Sequence, residues 1–263
     1  MTCIFEEGFA HFWRMTFYMI FTDLGLVLRD IKQSETDKIL VILTKEHGKI
    51  TAYAKGALNK SSKIKAACQS FVYSEFTIYV GGKDNFVVND ALTQTQFFPF
   101  GCEIETLSLA AYFGEILETL TDMDMHTERF LRLGLNCLYA LSAKKIPFMY
   151  IKAIFEYMAV SFAGYEPLIN ECNACGAPPD NDAFFDITEG VIYCKNCNQD
   201  DLMLVPKPVL ELMNFLSSCD DKKILSYKFN EKFLPELNEI SEKYLEYHSD
   251  KEYKQLKYFK GLL

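Results

Sequence analysis

No stretch of this chain has the length and apolar character needed to span a bilayer. The opening run from Met15 to Phe21 is apolar but far too short. A secretory signal is also missing, because Glu6 and Glu7 stand where such a peptide is basic. Several enzyme signatures are absent too. There is no Gly-x-Ser-x-Gly, phosphate-binding loop or dinucleotide fingerprint. The four histidines, His11, His47, His126 and His248, share no ligand spacing. Glu115 and Glu118 could be read as paired carboxylates, but nothing else supports acid–base chemistry. The chain is therefore read as non-enzymatic. It also has no internal repeat and no low-complexity linker.

What is present begins with cysteine. Cys172-Asn173-Ala174-Cys175 and Cys194-Lys195-Asn196-Cys197 each have the two-residue gap that lets neighbouring thiolates grip one tetrahedral ion. Between them, Phe184, Phe185 and Asp186, then Glu189 to Tyr193, read as two short strands with Gly190 at the turn. Four thiolates make a closed site, so the expected ion is a structural Zn2+. Two redox-active dithiols, or simply free cysteines, are the alternative. Cys3, Cys68, Cys102, Cys137 and Cys219 lack partner spacing, which suits a reducing cytoplasm.

Charge is unevenly distributed. The chain carries −9 overall, yet Arg29 to Lys65 holds nine basic residues against four acidic ones. Such a segment is a usable anion-binding face on an acidic protein. The bland alternative is a solvated lysine surface. The acidic run from Glu103 to Glu128 is read as a solvated helical face that repels a polyanion.

Hydrophobic residues make up 49 % of the chain, enough for a sizeable core. Short β-rich runs lie at 25–29, 39–44, 50–55, 71–80 and 86–93, separated by turn signals such as Glu46-His47-Gly48-Lys49. Five strands in this length suit a closed barrel, with the OB-fold the commonest nucleic-acid-binding case. Alternation puts Ile50, Ala52 and Ala54 inward and Thr51, Tyr53 and Lys55 outward. Phe71, Tyr73 and Tyr79 are expected on one face of their strand. Beyond about 103 the period becomes helical, with helices near 104–117, 127–142, 147–162, 206–219 and 230–247. The expected fold is α+β and multidomain: a barrel over 19–98, then a helical domain over 99–263 carrying the zinc hairpin at 170–200. Residues 1–18 are read as an extension of doubtful structure, with Met15 or Met19 as alternative starts.

Asp23-Leu24-Gly25-Leu26-Val27-Leu28-Arg29, Glu35-Thr36-Asp37-Lys38-Ile39, Thr44-Lys45-Glu46-His47-Gly48-Lys49 and Ala54-Lys55-Gly56-Ala57, with the two cysteine pairs, resemble the RecO family of bacterial recombination mediators. Leu245-Glu246-Tyr247-His248 and Lys254-Gln255-Leu256-Lys257 resemble its C-terminal helix and tail. The resemblance covers about residues 20 to 260. It implies a mediator that binds single- and double-stranded DNA without sequence specificity, promotes strand annealing and helps load RecA onto DNA coated by the single-stranded-DNA-binding protein SSB. Expected partners are RecR, the C-terminal tail of SSB, and RecF and RecA; the expected location is the cytoplasm, with the nucleoid. The residues expected to meet DNA are Arg29, Lys45, Lys49, Lys55, Lys60, Lys63 and Lys65 on phosphates and Tyr53 stacked on a base. Lysines where many relatives have arginine would make less specific contacts. The runner-up reading is a zinc-stabilised protein-interaction scaffold without direct DNA binding. A metal-dependent hydrolase is a further rival.

Overall fold

A computed structural model describes residues 19–82, 85–98, 101–179, 181–198 and 201–262. The expected extension, 1–18, lies outside the described residues. The first part of the chain forms strands β1 (Met19–Lys32), β2 (Lys38–Thr44), β3 (Lys49–Ala54), β4 (Val72–Gly81) and β5 (Asn85–Gln96). They close into a barrel in the order β1-β2-β3-β5-β4.

The patterning of β1 and β2 shows how the barrel meets the rest of the chain. Both carry continuous apolar runs, the mark of strands covered on two sides. Val27, Leu40 and Ile42 point into the barrel core with Ile50, Ala52 and Phe76. The intervening Leu26, Leu28, Val41 and Leu43 point outward into the larger core of the helices. Strand β3 alternates cleanly, with Ile50, Ala52 and Ala54 buried and Thr51 exposed, because one of its faces meets water. Residues 56–71 form successive turns, and Ala57, Ile64 and Cys68 join the barrel core. Tyr73 packs against the helical core, as does Phe71 from its positive-φ position before β4. Tyr73 and Tyr79 share the outer face of β4, with the helices covering Tyr73, while Phe71 lies just before the strand.

Helices α1 (Ile104–Leu120), α2 (Glu128–Ala143) and α3 (Phe148–Phe162) follow. Pro147 precedes α3 as its cap, where its fixed φ and missing N–H do no harm. Every residue of α3 from Tyr150 to Val160 is buried, so it is a central helix rather than one with a single apolar face. Phe155 stacks on Phe113 of α1 with ring centroids 4.0 Å apart. Next comes a four-stranded sheet of β6 (Leu168–Cys172), β7 (Ala183–Asp186), β8 (Val191–Tyr193) and β9 (Met203–Val205), in the order β6-β8-β7-β9. The expected hairpin is β7–β8, with Gly190 at φ +67°. Strands β6 and β9 flank it and were not expected. Helices α4 (Lys207–Ser218), α5 (Leu234–Ser249) and α6 (Lys254–Lys260) complete the chain. Pro235 falls in the first turn of α5, and Asn230 caps the short 3-10 turn before it. No helix among the described residues is long and apolar enough to cross a membrane.

A charged network lies within the helical core. The Lys152 amine, fully buried, donates to Glu156 at 2.9 Å and to Glu242 at 3.1 Å. Tyr112 and Ser241 donate their hydroxyls to Glu156 at 2.6 and 2.7 Å. Lys260 of α6 pairs with Glu242. Buried charge is tolerated only when so fully partnered, and here it fixes α1, α3, α5 and α6 in one register.

Candidate metal centre and nucleic-acid interface

The cysteine pairs meet because β6 and β8 run side by side. Cys172 ends β6 with Ile192 of β8 as its register partner. The chain then turns at Gly176, whose N–H donates to the Cys172 carbonyl at 2.8 Å. Cys194 follows β8, and a 3-10 turn over Lys195–Cys197 returns the last thiol. The four Sγ atoms lie within 4.8 Å of one another, and those of Cys175 and Cys194 are 3.9 Å apart. Metal–sulfur bonds of about 2.3 Å in a tetrahedron would set sulfurs about 3.8 Å apart. The donor set therefore suits one tetrahedral ion and no open coordination position. Burial alone would raise the Cys172 thiol, but N–H groups of Cys194, Cys175 and Ala174 pull it down to about 6. Cys197 is pushed up to about 12 by the neighbouring sulfurs of Cys194 and Cys175. Four thiolates this close repel one another, and a central cation relieves that repulsion.

The structure divides the expected DNA contacts into two groups. Arg29 donates to Glu118 of α1 at 2.7 Å, across a cleft of about 450 Å3 between barrel and helices. Lys45 pairs with Glu46 at 2.9 Å. The Lys49 amine donates to the Glu118 carbonyl at 2.5 Å, with Asp122 at 3.6 Å. Lys32 and Lys38 are likewise paired, with Glu35 and Asp30. The remaining four, Lys55, Lys60, Lys63 and Lys65, are exposed and have no ion pair among the described residues. All four lie in one run at the end of β3 and in the turns that follow. Tyr53 points outward and is half-buried, and its hydroxyl donates to Asp37 at 2.5 Å.

Of the acidic run, Glu103, Asp122, Asp124 and Glu128 are exposed and Glu105, Glu115 and Glu118 half-buried, and several of them also make contacts. Glu118 and Asp122 hold the barrel, Glu103 pairs with Lys144, and Glu115 accepts the N–H groups of Lys254 and Gln255 at the start of α6. The hairpin turn Thr44–Lys49 docks on the α1–α2 connection. Lys49 N donates to Asp122 O at 3.0 Å, Asp124 N to His47 O at 3.1 Å, and the Thr127 hydroxyl to Thr44 O at 2.7 Å. His47 is held in turn by Asp23 at 2.8 Å and stacks on Phe21.

One feature escaped the sequence reading. A cleft of about 250 Å3 beside α2 is lined by Tyr139, Ile146, Ile224 and Leu225, with the exposed Lys145 and Lys222 alongside. Its sequence signal is slight: Tyr139 is a tyrosine out of register with the buried face of α2, and it is 67 % exposed.

A closed five-stranded barrel fused to a helical domain with a four-cysteine cluster that could hold a metal ion defines a class of two-part proteins. Comparison with known families places the chain within it. The model of the recombination protein O N-terminal domain matches residues 19–95, and that of the C-terminal domain matches 103–257. The chain belongs to the recombination protein O family. Similar proteins include the DNA repair protein RecO of Alkaliphilus metalliredigens, 32 % identical over 89 % of this chain and 95 % of the relative. That of Acetivibrio thermocellus is 29 % identical over 90 % and 95 %.

Proposed function

We propose that this protein acts in recombinational DNA repair, as the names of its relatives suggest. It binds single- and double-stranded DNA without sequence specificity, promotes annealing and helps load RecA onto SSB-coated strands. Lys55, Lys60, Lys63 and Lys65 supply the phosphate contacts. The single observation that carries this reading is the sorting of the basic residues: five are committed to acidic partners, while these four remain unpaired in one run beside outward-facing Tyr53. The strand order is that of an OB-fold, whose β2–β3 face commonly takes oligonucleotides. Lysine contacts carry no base information, which suits a mediator that must bind any sequence and let go. The DNA-binding domain in this reading is 19–98 and the helical domain 99–263, and the partners of the chain are RecR, RecF and RecA.

The cleft beside α2 is the slot for the acidic, apolar tail of SSB. Its apolar walls fit hydrophobic side chains, and Lys145 and Lys222 fit carboxylates. The metal is a single Zn2+ held by Cys172, Cys175, Cys194 and Cys197, with a structural role. When bound, it contributes folding free energy to the sheet around it.

The test is fluorescence anisotropy of a labelled single strand against the full chain over a range of salt. Binding should weaken with a log–log slope of about −0.7 per phosphate contact, on the order of −3 for four lysines. Changing Lys60, Lys63 and Lys65 together to Glu should abolish it. Absence of binding even at low salt would instead favour the scaffold reading.

A further inference from the structure

We propose that Asp37 is a positioning residue for single-stranded DNA: its carboxylate pins the Tyr53 ring and the first turn of the lysine segment so that base and phosphate are met together. This deepens the DNA-binding reading above and rests on it.

The observation is a carboxylate with four donors from three places. Asp37 Oδ2 accepts the Tyr53 hydroxyl at 2.5 Å and the Ser34 hydroxyl at 3.0 Å. Oδ1 accepts the Gly56 N–H at 2.8 Å and the Thr36 hydroxyl at 2.9 Å. Beside it, Leu58 N donates to the Thr36 carbonyl at 2.8 Å. One side chain thus ties the β1–β2 turn to a ring on β3 and to the backbone next to Lys55. The hydrogen bonds from Tyr53, Gly56 and Thr36 hold the carboxyl far below its ordinary range, so it stays charged. The bond to Asp37 likewise raises the Tyr53 phenol, which keeps its proton as the donor.

A permanent negative charge beside an anion-binding face needs a reason. Repulsion of phosphate is its immediate effect, and a simple turn-former could have been serine or asparagine. The register supplies the reason. Outward positions Ile31, Ile39, Tyr53, Val87, Tyr79 and Ile20 are successive cross-strand partners around the barrel. Tyr53 stands between Ile39 and Val87 in this largely apolar row, where a free phenol would sample several rotamers. Anchoring its hydroxyl removes that freedom before a base arrives, so less ordering remains at binding. The same charge turns phosphates away from the Ser34–Asp37 side and toward Lys55. The chain of a bound strand is thereby aligned, with its base over Tyr53 and its phosphate over the lysines.

The experiment uses the full-length protein with a fluorescein-labelled oligothymidylate and a duplex of the same length. Variants are Asp37→Asn, Tyr53→Phe, Tyr53→Ala and the Asp37→Asn/Tyr53→Phe pair, each checked for an unchanged melting temperature. Tyr53→Phe keeps the ring and the fold and removes only the anchor. It should weaken single-strand binding about three- to ten-fold, the range for ordering one side chain at an interface. Asp37→Asn should do the same, and the double variant should be no worse than either. The salt slope should stay put, because no phosphate contact is lost. Duplex binding should change less than about two-fold, since paired bases cannot stack on the ring. Tighter binding by Asp37→Asn would reduce Asp37 to a repelling charge and overturn the inference. So would unchanged binding by Tyr53→Phe. If Tyr53→Ala binds normally while the lysine variant does not, DNA binding stands and this inference falls. If the unaltered protein binds no DNA, the reading beneath it fails as well.

Discussion

Gly48 shows at the level of one residue why the turn Glu46-His47-Gly48-Lys49 has its composition. Its φ is +72°, and a Cβ built there would lie 2.3 Å from the Asp122 carbonyl oxygen. Both the backbone angle and the contact exclude a side chain. Gly48→Ala should destabilise the protein by about 2 kcal/mol or more, read as a lower urea midpoint at unchanged slope. An unchanged midpoint would mean that the docked turn contributes nothing. The turn itself was legible, since glycine after a polar pair punctuates two strands. Its purpose was not, because the surface it meets lies some seventy residues further along the chain. The same separation hid the division of the basic residues. Arg29 and Lys49 look as available as Lys60 until Glu118 is brought beside them. Sequence spacing reports neighbours along a strand or a helix turn, and Glu118 is neither.

Among the elements, the small sheet was half readable. The cysteine gaps, the β7–β8 alternation and Gly190 announced the central hairpin. Strands β6 and β9 have five and three residues, too few for any period to register, and β6 pairs in parallel with a strand about twenty positions on. Helix α3 was legible only as an apolar stripe; that Lys152 and Glu156 are also buried follows from Tyr112, Ser241 and Glu242 coming together around them. The sheet is tied to the helices at its turn, where His248 meets the Ile187 carbonyl at 3.0 Å, and just before β6, where Tyr244 donates to the Tyr165 carbonyl at 2.8 Å. With the zinc proposed above in place, Cys194→Ser, or a strong chelator, should remove it and lower the melting temperature of the whole chain. Metal content per chain and a thermal scan measure both. Full stability after complete metal loss would show that β6–β9 stand without a staple.

Across the whole molecule, the barrel and the helices share one hydrophobic interior. Leu26, Leu28, Val41 and Leu43 leave the barrel wall and enter the same cluster as Phe113, Leu117, Leu133 and Leu138. Burying four such side chains contributes on the order of 6–12 kcal/mol, comparable to the entire stability of an ordinary domain. Calorimetry should therefore show one cooperative transition, with no separate melting of the barrel. Two resolved peaks would contradict a common core. A fragment limited to 19–98 should be poorly soluble, because it would expose that apolar wall to water.

The sorting of the basic residues has a kinetic consequence. Four unneutralised lysines stand together, while the chain as a whole carries −9. In the DNA-binding reading proposed above, a lysine face on an acidic body would orient an approaching polyanion before any atoms touch. Approaches with the acidic regions forward are turned back, and those with the lysine turns forward are drawn in. For the DNA complex proposed above, orientation would then be selected during diffusion, and added salt should slow the encounter as well as loosen the complex.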